Sequence, residues 1–150
     1  MHLLAVGKLR PAYRALCDDY LRRLRRYLGV TEREAREASR APTAAVARRE
    51  EGRRLRELVP DGARLVALDR GGRPLASDAL AAVVRGWLET SRPVAVVIGG
   101  SHGLPADLVA EAQLAWSLGP ATLPHELARV VACEQLYRAC TIVRGDPYHK

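Results

Sequence analysis

The segment Pro93 to Gly103, PVAVVIGGSHG, constrains the fold of this chain more than any other. Its run Val94 to Ile98 is apolar throughout, which is the pattern of a parallel strand buried on both faces. Gly99 and Gly100 follow directly, and glycine lets a backbone approach a ligand closely because it has no Cβ. Ligands of open α/β sheets bind at the carboxyl ends of strands. We therefore predict a ligand site at this turn, with an ordinary tight turn as the plain alternative.

Strand-like and helix-like segments alternate along the rest of the chain. Val30 to Ala41 gives a divided signal, because its neighbours suggest a strand while its composition favours helix. The alternation predicts α/β architecture with a mainly parallel sheet, in a single domain of residues 1–150. The other predicted strands are Leu3 to Val6 and Ala63 to Leu68, the latter ended by Asp69 and a Gly71-Gly72 turn; the predicted helices run from Pro11 to a stop at Gly29, Thr43 to Val59, Ser77 to Thr90, Pro105 to Trp116 and Pro124 to about Thr141.

Charge and composition narrow the function classes. The formal net charge is +7, and Lys8 and Lys150 are the only lysines, so arginine dominates the basic residues. A basic excess favours polyanions such as nucleic acid or an anionic membrane, and a GC-rich genome is the alternative cause. No apolar run approaches the roughly 20 residues of a membrane helix, and the start lacks a signal peptide's basic leader. We expect a cytoplasmic protein without a membrane partner.

The cysteines and histidines do not form a metal-binding pattern. Three cysteines are an odd number without metal-like spacing, and they are interpreted as reduced core thiols. The histidines are scattered along the chain, so we predict no metal site. The residues concerned are Cys17, Cys133 and Cys140, and His2, His102, His125 and His149.

A second loop, Leu118 to Leu123 (LGPATL), has no charged side chain. Gly119-Pro120 predicts a turn, and Pro124 stands where the next helix begins. Such a loop offers backbone N–H and C=O groups, which suit a neutral heterocycle such as adenine better than a phosphate. The plain alternative is a helix-to-helix connector. Neither GxGxxG nor GxxxxGK[ST] occurs in the chain, so a phosphate-cradling loop is not supported.

The last predicted helix has one misplaced charge. At about 100° per residue, Glu134 and Arg138 share one face, whereas Arg129 falls among apolar residues on nearly the opposite face. A charge on an apolar face is costly unless it is paired, which indicates a site or a subunit contact. The alternative is that Arg129 reaches past the core edge to solvent.

Two further segments are candidates for RNA contact. Tyr148 and His149, near the end of the chain, offer an aromatic surface and a hydrogen-bonding ring to a nucleobase, although tails are often frayed. The run Arg22 to Arg26 (RRLRR) could follow a phosphate backbone, and a solvated helix face is its simpler interpretation.

Several of these motifs together resemble a known family, the SPOUT-class methyltransferases that modify N3 of a pseudouridine in 23S ribosomal RNA. The resemblance runs nearly end to end, and its specificity comes from several motifs that agree in order and spacing. They are AVGKLRPAYRALCDDYLRRL, VALDRGGRPLAS, VVIGGSHGL, TLPHELARVVACEQLYRA and the terminal RGDPYHK.

The resemblance implies a parallel sheet with a carboxyl-terminal trefoil knot, a homodimer, and S-adenosylmethionine bound in the knot. The cofactor contacts would be Leu68, Gly99 and the loop residues Leu118, Gly119, Pro120, Ala121, Thr122 and Leu123. The family pattern usually has serine in place of Gly119 and leucine or methionine in place of Ala121. This departure implies a loop that binds mainly through its backbone.

The implied reaction is direct methyl transfer to N3 on the assembled ribosome. The sulfonium already activates the methyl group, so the protein mainly aligns N3 and excludes water. No dedicated base stands out for the N3 proton, which His125, His149 or solvent could accept. Arg129, Arg138 and Tyr148 are the other candidates for orienting the substrate. Two alternatives remain open: a non-catalytic RNA-binding protein of ribosome assembly, and a flavodoxin-like nucleotide-binding module.

Overall fold

A computed structural model describes all 150 residues, and it contains a single five-stranded sheet in which every paired strand is parallel. The sheet has the strand order β2-β1-β4-β3-β5. The predicted α/β architecture with a mainly parallel sheet is confirmed. The elements are β1 (His2–Val6), α1 (Pro11–Leu24), β2 (Thr31–Ala35), α2 (Ala44–Arg56), β3 (Arg64–Pro74), α3 (Ser77–Leu88), β4 (Val94–Ile98), α4 (Ala106–Glu111), β5 (Leu114–Ser117) and α5 (His125–Arg144).

Strand β4 occupies the centre of the sheet, as its uninterrupted apolar sequence predicts. All five of its residues are buried, and it pairs with β1 on one side and with β3 on the other. Its carboxyl end therefore lies between the ends of β1 and β3, which places Gly99 in the middle of the sheet edge.

Helices cover the two faces of the sheet unequally. Helices α1, α3 and α5 bury the larger apolar cluster, of 21 residues, which includes Leu3, Val96 and Trp116. Helices α2 and α4 cover the opposite face with a cluster of 10 residues, which includes Leu55 and Leu108. All three cysteines are free and buried, as predicted, and the Sγ atoms of Cys17 and Cys133 lie 3.5 Å apart between α1 and α5.

The segment from Pro105 to Trp116 is not one helix, so that prediction is wrong. Helix α4 ends at Glu111, and Leu114–Ser117 forms strand β5. The change of structure occurs at Gln113, whose backbone N–H donates to the Leu65 carbonyl at 3.0 Å. Its side-chain Oε1 accepts from the Leu65 N–H at 2.6 Å. These two bonds draw the chain onto β3, so the loop after β5 connects a strand to a helix.

Strand β3 does not stop at the Gly71-Gly72 turn, which corrects a second boundary. It continues to Pro74, with a shift of register against β5 between Leu68 and Arg73. A Cβ on Gly72 would lie 2.6 Å from the backbone of Ala115, so glycine is what allows the two strands to meet here.

The remaining helix and strand boundaries differ less from the prediction. Helix α1 ends at Leu24, before the predicted stop at Gly29, and α5 continues to Arg144. The divided signal in Val30 to Ala41 resolves into strand β2. No helix combines the length and apolar character needed to cross a membrane, and no three His, Cys, Asp or Glu residues are grouped to hold a metal ion.

Candidate active site

A cavity of about 910 Å³ opens at the carboxyl ends of β3, β4 and β5. Its walls come from three segments that are distant in sequence: the end of β3, the glycine turn after β4, and the loop between β5 and α5. Most of the lining is small or apolar, and Asp69 is its only acidic residue. The lining residues are Arg48, Leu68, Asp69, Arg70, Gly71, Ile98, Gly99, Gly100, Ser101, His102, Gly103, Leu104, Ser117, Leu118, Gly119, Ala121, Thr122, Leu123, Pro124, His125 and Ala128.

The turn after β4 is closed on itself by its own backbone. The Gly103 N–H donates to the Gly100 carbonyl at 3.0 Å, and these two residues form an isolated antiparallel bridge. A Cβ on Gly99 would lie 2.5 Å from the Gly103 carbonyl carbon, a separation that real side chains do not adopt. Glycine at position 99 is therefore a steric requirement of this turn.

The loop after β5 is held by the hydroxyl of Ser117. Its Oγ accepts from the Gly119 N–H at 3.2 Å and also lies 3.1 Å from the Gly119 carbonyl and 3.2 Å from the Arg70 carbonyl. Gly119 has φ +117°, a conformation that other residues rarely adopt. The glycine that departs from the family pattern thus fits the backbone observed at this position.

The structure brings together most of the residues predicted to bind the cofactor. Leu68, Gly99, Leu118 and Gly119 line the cavity, as do Ala121, Thr122 and Leu123. Pro120 is exposed and is not part of the lining. Two glycine-containing loops that lie far apart in sequence therefore face one cavity.

Helix α5 begins at the cavity wall. His125 and Ala128 line the cavity, and the neighbouring Glu126 is turned the other way, toward the loop after β1. The Glu126 carboxylate accepts from the Arg10 backbone N–H at 2.6 Å and from the Arg10 Nε at 2.7 Å. The Arg10 backbone N–H, and then its guanidinium, lower the pKa of Glu126. The start of α5 is thereby tied to the carboxyl end of β1.

Arg129 is buried rather than extended to solvent, so that alternative is wrong: its side chain is 1% exposed. Its guanidinium pairs with Glu34 at 2.7 Å and with Glu32 at 3.4 Å. It also donates to the carbonyls of Val6 at 3.0 Å and Gly7 at 2.6 Å. Arg129 is not part of the cavity lining, and it connects α5 to β2 and to the carboxyl end of β1.

The tail residues form a separate cluster around Glu134. The Glu134 carboxylate accepts from the Arg138 guanidinium at 2.8 Å and from the Tyr148 hydroxyl at 3.1 Å. Arg138 also lies over the Tyr148 ring, 4.8 Å from its centroid, and 3.3 Å from Nδ1 of His149. Burial and the hydrogen bonds of its hydroxyl raise the pKa of Tyr148. None of these residues lines the cavity of its own chain.

Sequence reasoning missed several charged residues of the cavity. Asp69 and Arg70 follow the buried part of β3, and that position at a strand end was an available signal. His102 lies in the SHG turn itself. Arg48 reaches the cavity from α2, and nothing in its local sequence indicates this position.

The fold and site define a class of protein: a parallel α/β domain with a small-molecule cavity built by loops at the strand ends. Comparison with known families is more specific. Residues 1–149 match the family described as predicted SPOUT methyltransferase, and this chain belongs to that family.

Curated relatives cover the chain from end to end. A protein of Methylobacterium nodulans is 45% identical over 158 residues, which cover 99% of this chain and 96% of the relative. One from Anaeromyxobacter dehalogenans strain 2CP-1 is 44% identical and covers 100% of this chain and 99% of the relative. Both are named ribosomal RNA large subunit methyltransferase H.

Solved structures share the fold at low sequence identity. A probable methylase family protein from Haemophilus influenzae matches with a TM-score of 0.60 at 12% identity, over 99% of this chain and 70% of that protein. A probable methyltransferase from Bordetella pertussis matches with a TM-score of 0.56 at 17% identity, over 93% of this chain and 95% of that protein.

Proposed function

We propose that this protein methylates N3 of a pseudouridine in 23S ribosomal RNA on the assembled ribosome, with S-adenosylmethionine as the methyl donor. The observation that carries this proposal is the single cavity in which Leu68, Gly99 and the loop from Leu118 to Leu123 meet. These are the positions that the family resemblance assigns to the cofactor. The names of the full-length relatives support large-subunit ribosomal RNA as the substrate class.

The residues around the cavity fit this donor. The loop from Leu118 to Leu123 has no charged side chain, so it offers backbone groups to an uncharged adenine. Glycine at position 99 lets the backbone of the turn fold back against Gly103, which places the turn at the wall of the cavity. When bound, the donor would supply an electrophilic methyl group on a sulfonium. The protein then has to hold N3 in line with that methyl group and exclude water.

The substrate-facing roles belong to side chains at the cavity and in the tail. His125 stands at the cavity wall and is a candidate acceptor for the N3 proton, as are His149 and solvent. Arg138 and Tyr148 would orient the base. Because they do not line the cavity of their own chain, we propose that a homodimer brings the tail of one chain to the cavity of the other. Arg129 would act as a positioning residue, through Glu34 and the carbonyls of β1.

Three further expectations stay predictions. The family resemblance implies a trefoil knot formed by the carboxyl-terminal segment. The sequence itself favours a single domain over residues 1–150 and a cytoplasmic location. The knot would pass through the segment that also builds the cavity, so the two features would depend on each other.

Labelled methyl transfer to ribosomes tests the proposal. The protein is incubated with ribosomes from a strain that lacks the modification, and with a labelled methyl donor, and the modified nucleotide is mapped. Label on N3 of one pseudouridine in 23S RNA is expected. Ribosome binding without label, and without a calorimetric signal for the donor, would support the non-catalytic RNA-binding alternative instead. A bound flavin in the purified protein would favour the flavodoxin-like alternative, although Gly7-Lys8 is too short for its phosphate-cradling turn.

A further inference from the structure

The arginines of this protein differ in whether the chain itself neutralises them. In the run Arg22 to Arg26, the most conspicuous basic segment of the sequence, Arg22 and Arg23 both pair with Asp19. The Arg23 guanidinium also lies over the Tyr20 ring, 5.7 Å from its centroid. Part of the charge of this run is therefore used within α1.

Two arginines at the cavity have no such partner. Arg48 and Arg70 are exposed residues that line the cavity, and neither forms an ion pair within 4.0 Å. Arg48 also lines a smaller neighbouring cavity of about 400 Å³, together with Arg49 and Asp69. Two unneutralised guanidinium groups thus face the opening with a single carboxylate nearby.

The backbone that carries Arg70 is fixed. The Ser117 hydroxyl lies 3.2 Å from the Arg70 carbonyl, and the Gly71 N–H donates to the Asp69 carboxylate at 2.8 Å. Gly72 lies against the backbone of Ala115. Arg70 therefore projects from a constrained point on one wall of the cavity.

The helix that carries Arg48 is fixed as well. Thr43 caps α2 by accepting from the Val46 N–H at 3.2 Å. One turn beyond Arg48, Gly52 lies against Pro105, where a Cβ would collide with the proline ring. This close contact holds α2 against the segment that follows the glycine turn, and Arg48 of this helix lines the same cavity as Arg70.

The loop between β2 and α2 adds two more unpaired arginines. Arg54 donates to the carbonyls of Arg36 at 2.7 Å and Glu37 at 2.9 Å. Glu51 accepts from the Ala38 N–H at 3.0 Å. Because the loop leaves the carboxyl end of β2, it lies at the same edge of the sheet as the cavity. Arg36 and Arg40 on this loop are exposed and form no ion pair.

We infer that Arg48 and Arg70, extended by Arg36 and Arg40, bind phosphates of the RNA strand on either side of the nucleotide that enters the cavity. We call these four residues the rim arginines, and the inference rests on the proposed function. Guanidinium groups bind phosphate oxygens in a bidentate manner. Phosphate contacts set the register of a strand without reading its sequence, which leaves selection of the target base to the cavity.

The carboxylate of the methyl donor is the other anion that Arg48 or Arg70 could bind. The two assignments differ in their consequences. Phosphate contacts make RNA affinity steeply dependent on salt, whereas a carboxylate contact changes the affinity for the donor alone. Arg36 and Arg40 do not line the cavity, so a surface that includes them favours the RNA strand.

The experiment measures three quantities for Arg48→Gln, Arg70→Gln and Arg40→Gln. They are the Kd for ribosomes that lack the modification, the slope of log Kd against log salt concentration, and the calorimetric Kd for S-adenosylmethionine. The matched control is Arg85→Gln, which removes the same charge from an exposed residue of α3 that does not line the cavity. Thermal unfolding of each variant checks that the fold is retained.

Each rim variant is expected to weaken ribosome binding roughly fivefold near 0.15 M salt and to reduce the salt slope by about 0.7 to 0.9, the effect of one lost phosphate contact. The affinity for the donor should not change, and Arg85→Gln should match the wild type. Rim variants that behave like Arg85→Gln would overturn the inference. A weakened affinity for the donor with an unchanged salt slope would overturn it too, in favour of the cofactor carboxylate.

Failure of the proposed function gives a different result. In that case the wild-type protein transfers no label to ribosomes, although the salt slopes still test the rim arginines as a phosphate-binding surface. If the wild type methylates and the slopes do not change, only the inference fails.

Discussion

Charged side chains in the first turns of helix α5 and in its second half lie in different environments. At its beginning, Glu126 and Arg129 are buried and are held by the loop after β1 and by β2. At its far end, Arg138 is partly exposed and joins Tyr148 and His149 in a cluster with Glu134. The first set binds β1, β2 and the loop after β1. The second set binds mainly α5 itself and the tail that follows it, and the Tyr148 hydroxyl also interacts with Tyr20 of α1.

The contrast distinguishes Glu126 and Arg129, which hold the fold together, from the residues around Arg138, which contribute less to stability. A buried charge that loses its partner costs several kcal/mol, so the beginning of α5 is fixed by stability. The partly exposed i,i+4 pair of Arg138 with Glu134 contributes little, so ion pairing explains little of the stability in this part of the helix. A function there would account for the basic, aromatic and imidazole groups that it brings together.

The largest effect on stability is expected from Arg129→Ala, at the beginning of α5. The substitution removes a buried donor from Glu34, Glu32 and the carbonyls of Val6 and Gly7. Arg14 still pairs with Glu32 at 2.8 Å, and the free energy of unfolding should fall by about 3 kcal/mol. Urea unfolding measures the loss. Arg129→Lys keeps the charge but loses the planar guanidinium, so its free energy of unfolding should lie between those of the wild type and Arg129→Ala. A loss below about 1 kcal/mol would contradict the comparison, because the bonds of Arg129 would then contribute little to the stability of the fold.

Arg138→Ala is the matched change at the other end. The free energy of unfolding should change by no more than about 0.5 kcal/mol, since the pair with Glu134 is a partly exposed i,i+4 contact within one helix. The single-turnover rate of methyl transfer should fall by about tenfold if Arg138 orients the base. A normal rate together with a large loss of stability would reverse the roles assigned to the two ends.

The pH dependence of stability sharpens the assignment at the beginning of α5. The pKa of Glu126 is lowered in the folded state, so its ionised form stabilises the fold above the ordinary carboxyl pKa of about 4.3. That contribution is lost as the pH falls through this value toward the lowered one. Thermal unfolding from pH 6 to pH 3 should show a smaller decline for Glu126→Gln than for the wild type. Parallel curves would show that the bond to Arg10 does not contribute.

The smallest effect is expected from Tyr148→Phe. The change removes one hydrogen bond to Glu134 and keeps the ring against Tyr137, whose centroid lies 4.7 Å away. Stability should change by less than about 0.5 kcal/mol, and the single-turnover rate by less than about threefold. Tyr148→Ala, which also removes the ring, should reduce the rate further. Equal rates for the two variants would argue against stacking as the role of the ring.

The sequence predicted the structure best where a local pattern has a single physical explanation. The apolar run of β4 predicted a central buried strand, and the two glycines after it predicted the position of the cavity. The misplaced Arg129 was visible from helical periodicity alone. Its partners were not, because Glu32 and Glu34 lie in β2, whose TEREA sequence shows no apolar alternation.

The boundaries that failed depend on contacts between distant segments. Strand β5 exists because Gln113 binds Leu65 through both its backbone and its side chain. No glycine or proline between α4 and β5 signals the change. The extension of β3 depends in the same way on the contact between Gly72 and Ala115. Arg48 reaches the cavity only because α2 packs on Pro105, and helical periodicity cannot predict which helices become neighbours.

The bonds of Arg129 also have a consequence for the timing of folding. They join α5 to carbonyls 122 and 123 residues earlier in the chain, so β1 is synthesised first and receives its last partners near the end of translation. Contacts between such distant residues slow folding, because a long loop must be closed before they form. During synthesis, β1 cannot form its contacts with α5 until α5 has been translated. Nearly the whole chain must therefore be synthesised before these contacts, and the fold that carries the cavity, can be completed.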